Sequence, residues 1–115
     1  MSYLNALTSQ VYWSPPDKER DRPILGAIIG RRVTLIADTG ASPSHAAQFL
    51  TALSEIGGAP PGFAALTHWH WDHVFGTGTM ALPTLAHGET RRRVLEMARL
   101  DWRDHALDAR VAAGL

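Results

Sequence analysis

Seven consecutive residues fix where one strand of this chain has to end. The apolar stretch at residues 63–66 runs straight into Thr67-His68-Trp69-His70-Trp71-Asp72-His73. A strand buried as far as Leu66 therefore meets three imidazoles and a carboxylate, groups that need water, hydrogen-bond partners or an ion. In an extended backbone alternate side chains share a face, so His68 and His70 can converge on one ion while Trp69 and Trp71 point the other way. Asp72 and His73 are then free to serve a second ion. With only 6 His among 115 residues, chance produces this pattern roughly once in a thousand such chains, and a metal-binding constellation is the reading it supports.

Composition narrows the chemistry. The chain has no cysteine, so a metal must be held by nitrogen and oxygen donors, which suits zinc, iron or manganese. Disulfides and thiol nucleophiles are excluded by the same count. A content of 45% hydrophobic and 19% charged residues fits one globular domain, too apolar for disorder and too interrupted for a membrane span. Eleven basic and eleven acidic residues cancel, so no net field recruits nucleic acid or an anionic membrane. Residues 1–10 have neither the basic start nor the apolar centre of a secretory signal, and the cytoplasm is the expected location.

Strand and helix signals alternate along the chain. Val11-Tyr12-Trp13 reads as a short strand, followed by an exposed proline-rich loop at residues 14–23. Two β-rich runs at residues 24–29 and 32–37 flank Gly30-Arg31, which suits a hairpin with a two-residue turn. Ser42-Pro43 supplies an N-cap and a proline for the first helical position. Ala46, Phe49, Leu50, Leu53 and Ile56 then form one apolar stripe, stopped by Gly57-Gly58, so a helix packed on the sheet is expected. Residues 63–67 read as a buried strand, 74–79 as a tight irregular loop and 84–87 as another strand. From about Glu89 the spacing of Leu95, Ala98, Trp102, Ala106 and Ala109 predicts helix, with a break near Asp101.

The pattern His68-x-His70-x-Asp72-His73, behind a hydrophobic strand and with Asp38-Thr39-Gly40 after an earlier one, resembles the metallo-β-lactamase superfamily over most of the chain. The resemblance implies an α/β (α+β) fold: half of an αββα sandwich, a mixed or antiparallel sheet with helices on one face, with residues 1–115 as its N-terminal part. It implies His68 and His70 as ligands of a first metal and Asp72 and His73 as ligands of a second, with Asp38 supporting the metal-loop backbone. Zinc is the implied cofactor, one or two ions, with iron or manganese as alternatives. The implied activity is hydrolysis by a metal-activated hydroxide, with Asp72 both a ligand and the group that orients the hydroxide. A small-molecule ester, thioester, lactone or phosphodiester is the implied substrate class, and Trp71 ahead of Asp72-His73 resembles the thioester-cleaving glyoxalase II-like branch.

A complete member of that family is roughly twice this long and carries three further metal ligands downstream of the motif. None can be matched in this chain, so each proposed metal has two ligands where a catalytic zinc usually has three. A missing C-terminal half, a partner chain or an oligomer is expected to complete the site. The alternative is a non-catalytic metal-binding or remnant domain. A half domain is also expected to show an uncovered apolar sheet face.

The remaining polar features read more plainly. His87, between a strand and a helix, is expected to cap or support rather than ligate. His45 and His105 lie on helices and read as solvated or half-buried side chains. Arg91-Arg92-Arg93 points three ways around a helix with Glu89 and Glu96 nearby, which reads as a solvated face. Trp69, Trp71 and Phe75 are candidates to wall a substrate pocket, with core packing as the competing role.

Overall fold

A computed structural model describes residues 3–100 and 102–114. Six strands form one mixed sheet in the order of the chain: β1 (Asn5–Ala6), β2 (Val11–Trp13), β3 (Gly26–Ile29), β4 (Thr34–Ala37), β5 (Pro61–Ala65) and β6 (Thr84–Leu85). The first four pair antiparallel, whereas β4–β5 and β5–β6 are parallel. Each parallel pair needs a crossover. The first is the long helix α1 (Pro43–Ile56), and the second contains two single-turn helices, α2 (Trp71–Val74) and α3 (Thr77–Met80). Two further helices, α4 (Gly88–Ala98) and α5 (Asp104–Ala112), follow β6. The expected break near Asp101 falls on a residue outside the described ones.

Period-two alternation sorts the sheet into two unlike faces. The cross-strand row Ala27, Ile36 and Ala64 is fully buried. It packs in one cluster with Ala46, Phe49 and Leu53 from the stripe of α1. The neighbouring row, Val11, Ile28, Leu35 and Phe63, points to the opposite side. There Ile28 is 48% exposed, so this apolar face is open, as expected for one layer of a sandwich.

The ends of α1 follow from local chemistry. Ser42 sits in extended backbone and its Oγ accepts from the His45 N–H at 3.1 Å, while Pro43 occupies the first turn, where its missing N–H costs nothing. Gly57 ends the helix at φ 78°, a left-handed conformation for which glycine carries no steric penalty.

The structure corrects several expectations. The hairpin between β3 and β4 is present, but Gly30 N–H donates to the Val33 carbonyl at 3.0 Å, so the connection spans residues 30–33 rather than two. Residues 74–79 are largely helical despite Gly76 and Gly78: α2 and α3 are single turns closed by the Phe75 N–H on the Trp71 carbonyl and the Ala81 N–H on the Thr77 carbonyl, and Thr77 Oγ1 donates to the Val74 carbonyl between them. β5 starts and ends two residues earlier than residues 63–67, and of its side chains only Ala64 is fully buried. Among the described residues no helix is long and apolar enough to cross a membrane.

Candidate metal centre

The histidine motif lies just beyond the C-terminal end of β5, and its second half winds into α2. His68 and His70 therefore sit on the connecting loop, while Asp72 and His73 sit on a helical turn. What holds this segment is the parallel neighbour β4. Beyond its last residue, Asp38 adopts φ 64° and Gly40 φ 100°, a left-handed bend that Asp tolerates better than most side chains and that suits glycine. The bend turns the Asp38 carboxylate, 4% exposed, under the motif.

Asp38 makes three side-chain hydrogen bonds. Its Oδ1 accepts from the Thr67 N–H at 2.8 Å, and its Oδ2 accepts from Thr67 Oγ1 at 2.8 Å and lies 2.8 Å from His73 Nδ1. Thr67 Oγ1 is in turn 2.8 Å from His68 Nδ1. A hydroxyl has one proton, so once Thr67 donates to Asp38 it accepts from His68. With Asp38 ionised, the protons of His68 and His73 both reside on Nδ1. Their Nε2 atoms are left with free lone pairs, the arrangement of metal-ligating histidines backed by a carboxylate.

The loop that bears Asp38 also pins the far end of the motif. Thr39 N–H and Oγ1 both donate to the His73 carbonyl, at 2.9 and 3.1 Å, and Gly76 N–H donates to the Gly40 carbonyl at 3.0 Å. A Cβ on Gly76 would stand 1.9 Å from the Thr39 carbonyl oxygen. Only glycine permits that approach.

The four motif side chains are brought together in pairs. Ring centroids of His68 and His73 are 4.1 Å apart, those of His68 and His70 4.7 Å apart, and Asp72 Oδ2 is 3.8 Å from His73 Nε2. Among the described residues no group of three or more such donors is assembled to hold an ion. The donor types and the Nε2 lone pairs suit a nitrogen- and oxygen-seeking divalent cation, two side chains at a time. His70 and Trp71 are exposed, and His68, Asp72 and His73 are half-buried.

Sequence reasoning placed His87 correctly: it is the N-cap of α4, its Nδ1 accepting from the Glu89 N–H at 3.1 Å. His105 is exposed as expected. His45 is a correction. It is fully buried in the first turn of α1, with Nδ1 accepting from the Ala41 N–H at 3.0 Å and Nε2 buried without a partner among the described residues. Burial first, then the nearby Arg22 cation, lowers its pKa from 6.5 to about 4, with Asp17 acting in the opposite direction. The signal was available in the sequence: His45 precedes Ala46, Phe49 and Leu53 at helical spacing, on the edge of their stripe.

Aromatic residues surround the motif. Trp69 lies 4.9 Å from the His70 ring and under the Arg93 guanidinium at 5.7 Å, and Phe75 links Trp71 at 5.9 Å to Trp102 at 4.9 Å.

Comparison with known proteins gives the same picture at a coarser level. The sequence model of the metallo-beta-lactamase superfamily matches residues 26–111. Among solved structures, the FIM-1 metallo-beta-lactamase from Pseudomonas aeruginosa in its mono-zinc form is similar at TM-score 0.68 and 20% identity, covering 81% of this chain and 45% of that one. A metallo-beta-lactamase from Hirschia baltica gives 0.70 and 17%, covering 83% and 47%, and one from Pontibacter korlensis gives the same values. The chain thus spans less than half the length of the structures it matches, and at these identities the likeness is one of fold. No curated protein matches.

Proposed function

Because this chain belongs to the metallo-β-lactamase superfamily, we propose that it forms part of a metal-dependent hydrolase in which His68 and His70 bind one divalent ion and Asp72 and His73 a second. Zinc is the preferred ion on donor chemistry. The observation that carries the proposal is the pair of hydrogen bonds through which Thr67 and Asp38 hold Nδ1 of His68 and His73, leaving both Nε2 lone pairs available. A neutral imidazole whose Nδ1–H is held by a carboxylate or hydroxyl presents its Nε2 lone pair for ligation. The further ligands come from outside these residues, from the rest of a longer domain or from a partner chain.

A divalent ion held there supplies an acidified water and polarises the carbonyl or phosphoryl group of a substrate. The residues of this chain do the positioning. Asp38 and Thr67 fix the imidazoles, Thr39 holds the third residue of α2 through the His73 carbonyl, and Asp72, 31% exposed at its side chain, would serve as ligand and proton acceptor. Esters, thioesters, lactones and phosphodiesters all satisfy this chemistry.

A second reading is a metal-binding domain without turnover, favoured by the lack of any assembled three-donor group among the described residues. Zinc titration combined with hydrolysis assays on 4-nitrophenyl esters and bis(4-nitrophenyl) phosphate separates the two. Zinc-dependent turnover lost in His68→Ala and His73→Ala supports the hydrolase. Zinc binding with no turnover, even when the chain is supplied with a complementing C-terminal half, supports the second reading.

A further inference from the structure

Beside the histidine motif, α4 stands off from β6 and α2 and leaves a groove of about 590 Å³. Leu66, Phe75, Leu85, Val94, Leu95 and Trp102 supply most of its apolar wall, and Arg91 is the one charged residue lining it among the described residues. Leu85 is 59% exposed, Leu95 44% and Trp102 38%, a concentration of open apolar surface of the kind found at binding grooves. The volume lies within the range of small-molecule sites.

Arg91 differs from its two neighbours. Arg92 bonds Glu89 and Glu96, and Arg93 reaches the same two carboxylates at 3.6 Å. The Arg92 hydrogen bond, above all, holds the Glu89 carboxyl below its ordinary pKa. Arg91 makes no ion pair and no side-chain hydrogen bond among the described residues. The helix face thus neutralises two guanidinium groups and leaves the third, on the apolar groove, unmatched. An apolar trough with a single uncompensated cation selects a molecule with a hydrocarbon body and one negative end.

We propose that this groove binds an amphipathic anion, an aliphatic carboxylate in chemical class, with its chain against Leu85, Leu95 and Trp102 and its charge on Arg91. Phe75 carries the groove to the motif. It caps α2 one turn beyond Trp71 and packs edge-on against Trp102 at 4.9 Å, so a bound chain lies alongside the residues proposed to hold metal. Binding here does not depend on hydrolysis or on the metal.

The test is calorimetric titration of the full chain, without added metal, with octanoate, 1-octanol and octylammonium. Octanoate is expected to bind about tenfold more tightly than 1-octanol, with octylammonium weakest. In Arg91→Gln the advantage of octanoate over 1-octanol disappears while 1-octanol is unaffected, and in Leu95→Ser all three weaken. Circular dichroism of both variants, each altered at an exposed position, confirms that they are folded. Equal binding of octanoate and 1-octanol, an octanoate preference that survives Arg91→Gln, or no binding of any of the three overturns the proposal. So does sedimentation showing that a second copy of the chain fills the groove and is released by Leu95→Ser. Because metal is left out and neither variant touches the motif, these failures leave the hydrolase reading standing, and loss of zinc binding would leave this one standing.

Discussion

Asp38 and His73, 35 positions apart in the chain, meet through a 2.8 Å hydrogen bond between Oδ2 and Nδ1. The same oxygen accepts from Thr67 Oγ1, so one buried carboxylate governs both ends of the histidine motif. Asp38→Asn keeps the shape but replaces one acceptor oxygen by a donor, so either Thr67 Oγ1 and His73 Nδ1 together, or in the flipped amide the Thr67 N–H, lose their acceptor. Zinc affinity is expected to fall by about 10- to 100-fold, with a loss of about 1–3 kcal/mol in folding stability. Calorimetric zinc titration and urea unfolding of the variant read the two effects separately.

Gly76→Ala is expected to disturb the site without changing a polar group. The new methyl would meet the Thr39 carbonyl oxygen at 1.9 Å and the Ala46 Cβ at 2.8 Å, and neither backbone nor helix can yield without moving the loop that holds His73. A loss of more than about 2 kcal/mol is expected. Gly78→Ala is the control, since a Cβ there meets nothing within 4 Å. Urea midpoints of the two variants should differ sharply, and equal midpoints would contradict the close approach.

His45 makes stability depend on pH in a defined direction. Its native pKa is lowered from 6.5 to about 4, so at pH 7 the ring is neutral in both folded and unfolded chains. As pH falls through 6.5 the unfolded chain takes up a proton that the native one refuses, and stability drops until about pH 4, where both are charged. The contribution approaches about 3 kcal/mol across that window. In His45→Gln, whose side-chain oxygen can still accept from Ala41, the slope of unfolding free energy between pH 6.5 and 4 should be shallower by this amount. Parallel slopes for wild type and variant would contradict it.

The elements easiest to read in the sequence were those whose causes are local. The stripe from Ala46 to Ile56, the Ser42-Pro43 start and the Gly57 stop define α1 within their own span, and the structure has it at Pro43–Ile56. The motif was legible for the same reason, its donors being consecutive. What escaped was non-local or short. The support that Asp38 gives the metal-loop backbone came from the resemblance alone; its bonds to Thr67 and His73 join the loops beyond β4 and β5 to α2, and nothing adjacent to Asp38 in sequence announces either partner. His45 stands at the edge of the α1 stripe, a signal within its own span, and the non-local part of its environment is the Ala41 N–H that donates to its Nδ1. α2 and α3 are single turns in which Gly76 and Gly78 outweigh helical spacing in any local reading. The extra length of the β3–β4 connection arises from a bond between Gly30 and Val33 that two-residue turn rules do not contain.

Binding of a divalent cation by imidazoles of the 68–73 segment underlies the proposed hydrolase. X-ray absorption at the zinc edge, recorded on the chain loaded with substoichiometric zinc, tests it most directly. The expected spectrum has a nitrogen and oxygen shell at about 2.0–2.1 Å with the outer-shell scattering of at least two imidazoles, reduced by one imidazole in His68→Ala and again in the double variant with His70→Ala. A spectrum of water and carboxylate oxygens alone, or an imidazole signal unchanged by both substitutions, would contradict it.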